Sequence, residues 1–321
     1  EAARAARQAE TGTAPPLAFA LYDRDGLVMR RSYGGFSTGE RVAVASASKL
    51  VAGLTLFTLV RDGLLDLDST TGDVLGWTGP KRTITLRHLL SFTSGLTPDA
   101  PCTSLVDFTL EACVAGIRLR PSVAAPGERF DYGPSHLHVA ARMAEVVTGQ
   151  SWEELFRARV TGPLGLPDDV AFFTAPRQAR GTTNPLVAGG LRASLDEYAV
   201  LLREVALRGR GVLDLPPGLF AAQARLPFPG AEVGRSPMES LGYPWRYGLT
   251  AWLECNTPAR GCDVVSSPGA FGFTPWVDHE NGYYAVLAME LPHAAGEGAS
   301  AFAVELQQAL RERIPAVLAG R

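Results

Sequence analysis

Lysine is nearly absent from this chain. Of its 30 basic residues only Lys49 and Lys81 are lysines, which leaves 28 arginines. Arginine keeps its proton near neutral pH, whereas a lysine withdrawn from water can lose it and serve as a base. Basic charge is not in excess either: the net charge is −3 and the pI about 6.0, which argues against a nucleic-acid partner. No stretch approaches the roughly 20 apolar residues of a membrane-spanning helix. The opening residues, Glu1 to Thr13, are polar and alanine-rich, so any export signal is expected to have been removed already.

Cysteine and histidine are also scarce. The four cysteines fall into two local couples, Cys102 with Cys113 and Cys255 with Cys262. Neither has C-x-x-C spacing or a neighbouring histidine to complete a metal set. Two disulfides are the natural reading, although three connectivities are open and four buried thiols are the alternative. The oxidised reading implies export, to a secreted or periplasmic location. His136 and His138 are close, but fit neither H-E-x-x-H nor a common zinc spacing. His88 reads as structural, and His279 and His293 would matter only in an α/β-hydrolase. No metal or other cofactor is called for.

The chain has 321 residues, 46% of them hydrophobic, enough for a sizeable core. Leu17 to Asp23 and Leu27 to Tyr33 alternate as strands around a turn at Asp23-Arg24-Asp25-Gly26. From Ser46 to Val60 the pattern becomes helical, with Gly63 just past the end. Between Trp77 and Asn184 helices recur, at Leu86 to Ser91, His136 to Thr148 and Trp152 to Val160, with no convincing strand. A capped helix follows at Leu195 to Leu207, and then a proline- and glycine-rich passage to about Pro244 that reads as loop. Strands return at Arg246 to Leu253, Val264 to Ser267, Phe273 to Val277 and Tyr283 to Leu291, before a helix from Ser300 to Arg313. The expected fold is α+β: an antiparallel sheet flanked by helices, built from both termini (1–76 and 185–321), with a mostly helical domain inserted (77–184). No internal repeat or low-complexity tract appears.

Ser46-Ala47-Ser48-Lys49 places a hydroxyl and an amine on one face of a helix, at i and i+3. Serine needs a neighbouring base to become a nucleophile, and a buried lysine can be that base. With Ser46 at a helix N-terminus, its N–H is a candidate oxyanion donor. Taken alone, the motif also describes a capping serine beside a solvated lysine. Gly35-Phe36-Ser37-Thr38-Gly39 matches the nucleophile elbow G-x-S-x-G, but no helical pattern follows it, so Ser37 reads as a turn residue.

The neighbouring segments strengthen the Ser46 reading. Val44 to Lys49, Gly63-Leu64-Leu65-Asp66-Leu67-Asp68, and Ile84 through Gly95-Leu96 resemble, in order, landmarks of the class C β-lactamase family. That family also holds D,D-peptidases and family VIII carboxylesterases. The similarity continues through Pro126 to Tyr132, Glu145 to Gly149, Pro163 to Leu166 and Ala188 to Leu191, nearly the whole chain. The resemblance implies a β-lactamase/transpeptidase-like fold. Its Tyr-x-Asn motif corresponds to Tyr132-Gly133-Pro134, which makes Tyr132 a candidate base with a pKa lowered by Lys49. Pro134 lacks the amide of the family asparagine, so substrate contacts there must differ. The third motif, Lys-Thr-Gly or His-x-Gly, corresponds to Ser267-Pro268-Gly269. Gly269 is then expected to let substrate approach, and the Ala270 N–H to be the second oxyanion donor. The cation that greets a β-lactam or peptide carboxylate is missing at Ser267, which favours an uncharged ester or amide. Phe271, Phe273 and Trp276 are candidate walls of an acyl pocket. The function implied is acyl-enzyme hydrolysis of a small-molecule ester, with D-amino peptidase, D,D-peptidase or weak β-lactamase action as alternatives. A non-catalytic binding or sensor domain of the same fold is an alternative of another class.

Overall fold

A computed structural model describes residues 2–175, 181–255, 260–291 and 297–320. Its strands are β1 (Leu17–Asp23), β2 (Gly26–Tyr33), β3 (Val42–Ala43), β4 (Arg129–Asp131), β5 (Ala171–Phe172), β6 (Leu191–Ala193), β7 (Glu232–Arg235), β8 (Arg246–Tyr247), β9 (Trp252–Leu253), β10 (Val264–Ser266), β11 (Thr274–Asp278) and β12 (Tyr283–Ala288). Seven of them form one antiparallel sheet in the order β2-β1-β12-β11-β10-β9-β8. The first hairpin therefore sits beside the last strand, and both ends of the chain build the sheet, as expected.

Alternation along β1 decides what lies on each face. Leu17, Phe19 and Leu21 join Trp276, Tyr283, Leu287, Phe302 and Ile314 in a cluster on one side. Ala18 and Ala20 turn to the other side and join the large core that holds the Ser48–Arg61 helix and the Leu195–Ala206 helix. Ser48 through Leu59 are all buried, because this helix is enclosed on every side. Two small ladders hold the chain around it: β3-β6-β5 is antiparallel, and β4 pairs with β7 in parallel.

Several local expectations are corrected. Arg246 to Leu253 is a hairpin rather than one strand: Gly248 donates to the Ala251 carbonyl at 2.9 Å, and a Cβ on Gly248 would lie 1.9 Å from the Gln223 carbonyl oxygen. The 77–184 block contains β4 and β5, too short for alternation to register and paired with segments far away in sequence. The passage read as loop contains the helices Pro217–Gln223 and Pro237–Ser240, each opened by a proline whose missing N–H costs nothing at a first turn, and β7 between them. A helix at Ala2–Thr11 was not anticipated.

Cys102 and Cys113 are disulfide-bonded. Cys255 and Cys262 are thiols, which corrects the expectation of a second bridge. The Cys262 thiol is buried and donates to the Val264 carbonyl at 3.2 Å, and the Cys255 thiol points at the Gly261 carbonyl.

Candidate active site

The site begins where β3 ends. Val44 donates to the Leu191 carbonyl at 3.1 Å, which fixes the chain against β6. Ala45 then adopts a φ of 47°, the left-handed region that residues with a Cβ seldom enter, and turns the chain sharply. Ala45–Ala47 forms a 3₁₀ turn that runs into the Ser48–Arg61 helix, so Ser46 stands at the helix entrance, half-buried.

Lys49 lies on the first turn beneath it. Its Nζ donates to Ser46 Oγ at 2.9 Å and to the Ala188 carbonyl at 2.7 Å. The side chain is buried, and that loss of water pulls the amine pKa from 10.5 to about 7. Lys81, by contrast, ties down a loop by donating to the carbonyls of Arg118 and Arg120.

Tyr132 follows β4 and is held by its own N–H, which donates to the Arg235 carbonyl at 2.9 Å. Its ring stacks on Trp252 with centroids 5.2 Å apart, and Phe92 and Tyr247 meet it edge-on. The hydroxyl hydrogen-bonds the Ser46 side chain. Burial raises the phenol pKa, which corrects the expected lowering. The physical reason is desolvation: the hydroxyl is withdrawn from water, which outweighs the hydrogen bonds with the Ser46 and Trp252 side chains, while Lys49 Nζ lies over the ring, 4.6 Å from the centroid.

The remaining candidates divide. Ser267 is buried, and its Oγ donates to the Ser46 carbonyl at 2.8 Å, so it braces the Ser46 turn from behind. A Cβ on Gly269 would lie 2.2 Å from the Val44 carbonyl oxygen, so the passage of the chain against Val44 itself requires glycine there. Ala270 borders a cavity of about 700 Å³ together with Ser46, Tyr132 and Pro268. Pro134 and Phe271 border a second cavity, of about 270 Å³, that also reaches Ser46, Tyr132 and Lys49. Trp276 is not a wall of either: β11 turns it to the opposite face of the sheet, where it stacks on Phe19 at 6.0 Å. Phe273 is core and packs on Tyr198.

Ser37 lies in a turn, its carbonyl accepting from the Glu40 N–H, and β3 rather than a helix follows. His136 is sealed between Ser94 Oγ and the Asp131 carbonyl, His138 points at the Pro134 carbonyl, and burial lowers both pKa values to about 4. His88 caps its own helix through Thr85. His279 borders a separate cavity with Arg208, and His293 falls outside the described residues. No group of three or more His, Cys, Asp or Glu among the described residues is placed to hold a metal. Sequence reading missed Asp99 and Arg235, an ion pair at the rim of the smaller cavity, and Met238, which lines the larger one. Arg235 and Met238 come from the passage read as loop, which offered no periodic signal.

The Beta-lactamase family profile matches residues 2–310. Penicillin-binding protein 4 of Amycolatopsis lactamdurans is 31% identical over 159 residues, covering 47% of this chain and 41% of its own. Lovastatin esterase of Penicillium rubens is 28% identical over 198 residues, covering 52% and 49%. The matches thus cover about half or less of the curated relatives' length. Among solved structures, a putative β-lactamase from Bacteroides dorei superposes with a TM-score of 0.78 at 30% identity, over 90% of this chain and 89% of that one. EstCE1, a hydrolase with promiscuous acyltransferase activity, superposes with a TM-score of 0.74 at 18% identity, over 94% and 95%. With the profile running over nearly the whole chain, from residue 2 to residue 310, the chain belongs to the Beta-lactamase family of serine hydrolases.

Proposed function

We propose that this chain hydrolyses an ester through an acyl-enzyme on Ser46. The observation that carries the reading is the amine 2.9 Å from Ser46 Oγ with a pKa of about 7, so that roughly half of it is a free base at neutral pH. Ser46 Oγ attacks the carbonyl and its proton passes to Lys49 Nζ. The N–H groups of Ser46 and Ala270 receive the oxyanion. The proton then leaves with the alcohol, and a water activated by the same amine releases the acid. Tyr132 stays protonated across the neutral range, so its role is to relay the proton from Lys49 to the leaving oxygen rather than to act as an ionised base. The Cys102–Cys113 bridge supports an exported location.

The test is hydrolysis of p-nitrophenyl butyrate by wild type, Ser46→Ala and Ser37→Ala. Loss in Ser46→Ala alone is expected; activity that survives Ser46→Ala refutes the mechanism. Nitrocefin turned over as efficiently as the ester would replace the esterase reading with a β-lactamase one.

A further inference from the structure

Packing fixes the ring of Tyr132 but not the direction of its O–H. Trp252 stacks on the ring with centroids 5.2 Å apart, and Phe92 and Tyr247 meet it edge-on, which settles the plane of the phenol. Within that plane the hydroxyl can still donate or accept toward Ser46. The choice decides the chemistry. A Tyr132 that accepted from Ser46 would draw the serine proton away from Lys49, whereas a Tyr132 that donates keeps a proton ready to pass on. Trp252, which opens β9, supplies what settles the choice. It is fully buried, and its Nε1–H meets the Tyr132 hydroxyl and has no other hydrogen-bond partner among the described residues. An indole N–H can only donate. It therefore takes an accepting position of Tyr132 Oη and leaves the phenol proton to point at Ser46, whose side chain shares the hydroxyl. We propose that Trp252 is a positioning residue for acyl transfer: its N–H holds Tyr132 as a proton donor and stabilises the negative charge that gathers on Oη as the phenol proton moves to the leaving oxygen. The inference rests on the acyl-enzyme reading above. In the step concerned, the bond from the carbonyl carbon to the alcohol oxygen breaks and the departing oxygen takes the Tyr132 proton. Tyr132 Oη then takes the proton that Lys49 Nζ received from Ser46, and the amine ends neutral. Between the two transfers Oη bears the charge in surroundings withdrawn from water, where a donor aimed at a developing anion counts most.

The leaving group is the readout. Ethyl butyrate releases an alkoxide that must be protonated, whereas p-nitrophenyl butyrate releases an anion that is stable without a proton. Their kcat/KM values report the steps up to acylation. Trp252→Phe keeps an aromatic ring against Tyr132 and removes the N–H. It should lower kcat/KM for ethyl butyrate by roughly tenfold or more beyond any fall for p-nitrophenyl butyrate. In the Tyr132→Phe background, adding Trp252→Phe should leave the ratio of the two esters unchanged, since Trp252 acts through the phenol. Should Trp252→Phe fail to fold, benzothienylalanine in place of Trp252, with sulfur where the N–H stood, removes the donor at nearly constant size. An equal fall for both esters, as a merely structural role would give, a larger fall for p-nitrophenyl butyrate, or a ratio that changes again in the Tyr132→Phe background overturns the assignment. Those outcomes leave the acyl-enzyme intact provided Ser46→Ala abolishes turnover of both esters; residual turnover in Ser46→Ala defeats the underlying reading instead.

Discussion

Replacing Lys49 by methionine should make the protein more stable near pH 6 while abolishing its activity. In the unfolded chain the amine ionises near 10.5, and in the fold at about 7. Below pH 7 both states carry the charge, and the folded state bears the full cost of burying it. As pH rises from 7 to 10.5 the fold has released its proton while the unfolded chain still holds one, so the cost declines and vanishes above 10.5. At 1.36 kcal/mol per pH unit this cost amounts to about 5 kcal/mol. Methionine fills similar space without a charge, but leaves the Ala188 carbonyl without its donor, a loss of about 1–3 kcal/mol. The variant should therefore exceed wild type by about 2–4 kcal/mol at pH 6. The advantage should shrink by about 2–3 kcal/mol between pH 7 and pH 9. Urea unfolding of both proteins at pH 6, 7, 8 and 9 measures this. A methionine variant less stable than wild type at pH 6, or a difference independent of pH, refutes the buried-amine reasoning. In kinetics, wild-type kcat/KM should rise with pH through an apparent pKa near 7, as the amine loses its proton.

Tyr132→Phe should lower kcat by roughly 10²-fold while the limb near pH 7 persists, because the phenol is not the group that ionises; disappearance of that limb would return the base role to Tyr132. Ser267→Ala removes the donor to the Ser46 carbonyl and should lower stability by about 1–3 kcal/mol in urea unfolding, with a fall in kcat as the Ser46 turn loosens. Unchanged stability and kcat would show that the turn holds without it. Gly269→Ala drives a methyl into the Val44 carbonyl and should cost about 2 kcal/mol or more, seen as a lowered Tm; an unchanged Tm contradicts the close approach.

Legibility of this chain followed the range over which its signals act. The β1–β2 hairpin is written locally, in alternation around Asp23 to Gly26, and was located to within a residue. The Ser46–Lys49 contact is equally local, since helical spacing alone sets it. The parts that were not legible are set by the rest of the chain. β4 and β7 are short segments that become strands only because they meet across the fold. The roles of Ser267 and Gly269 follow from how the end of β10 passes Val44 and Ser46, and nothing in Ser-Pro-Gly itself reports that passage. Trp276 was assigned to the wrong face because alternation fixes which residues share a face but not which face meets the site. The ionisation of Tyr132 depends on how completely its hydroxyl is withdrawn from water, a matter of packing.

The central claim is that Ser46 carries the acyl group. A p-nitrophenyl alkylphosphonate, whose phosphorus mimics the tetrahedral carbon, can be incubated with the protein and the tryptic peptides weighed. Cleavage after Arg41 and Lys49 separates Ser46 from Ser37. The account predicts one phosphonyl adduct, on the Val42–Lys49 peptide, absent from Ser46→Ala; an adduct on the Ser32–Arg41 peptide, or one that persists in Ser46→Ala, would contradict it.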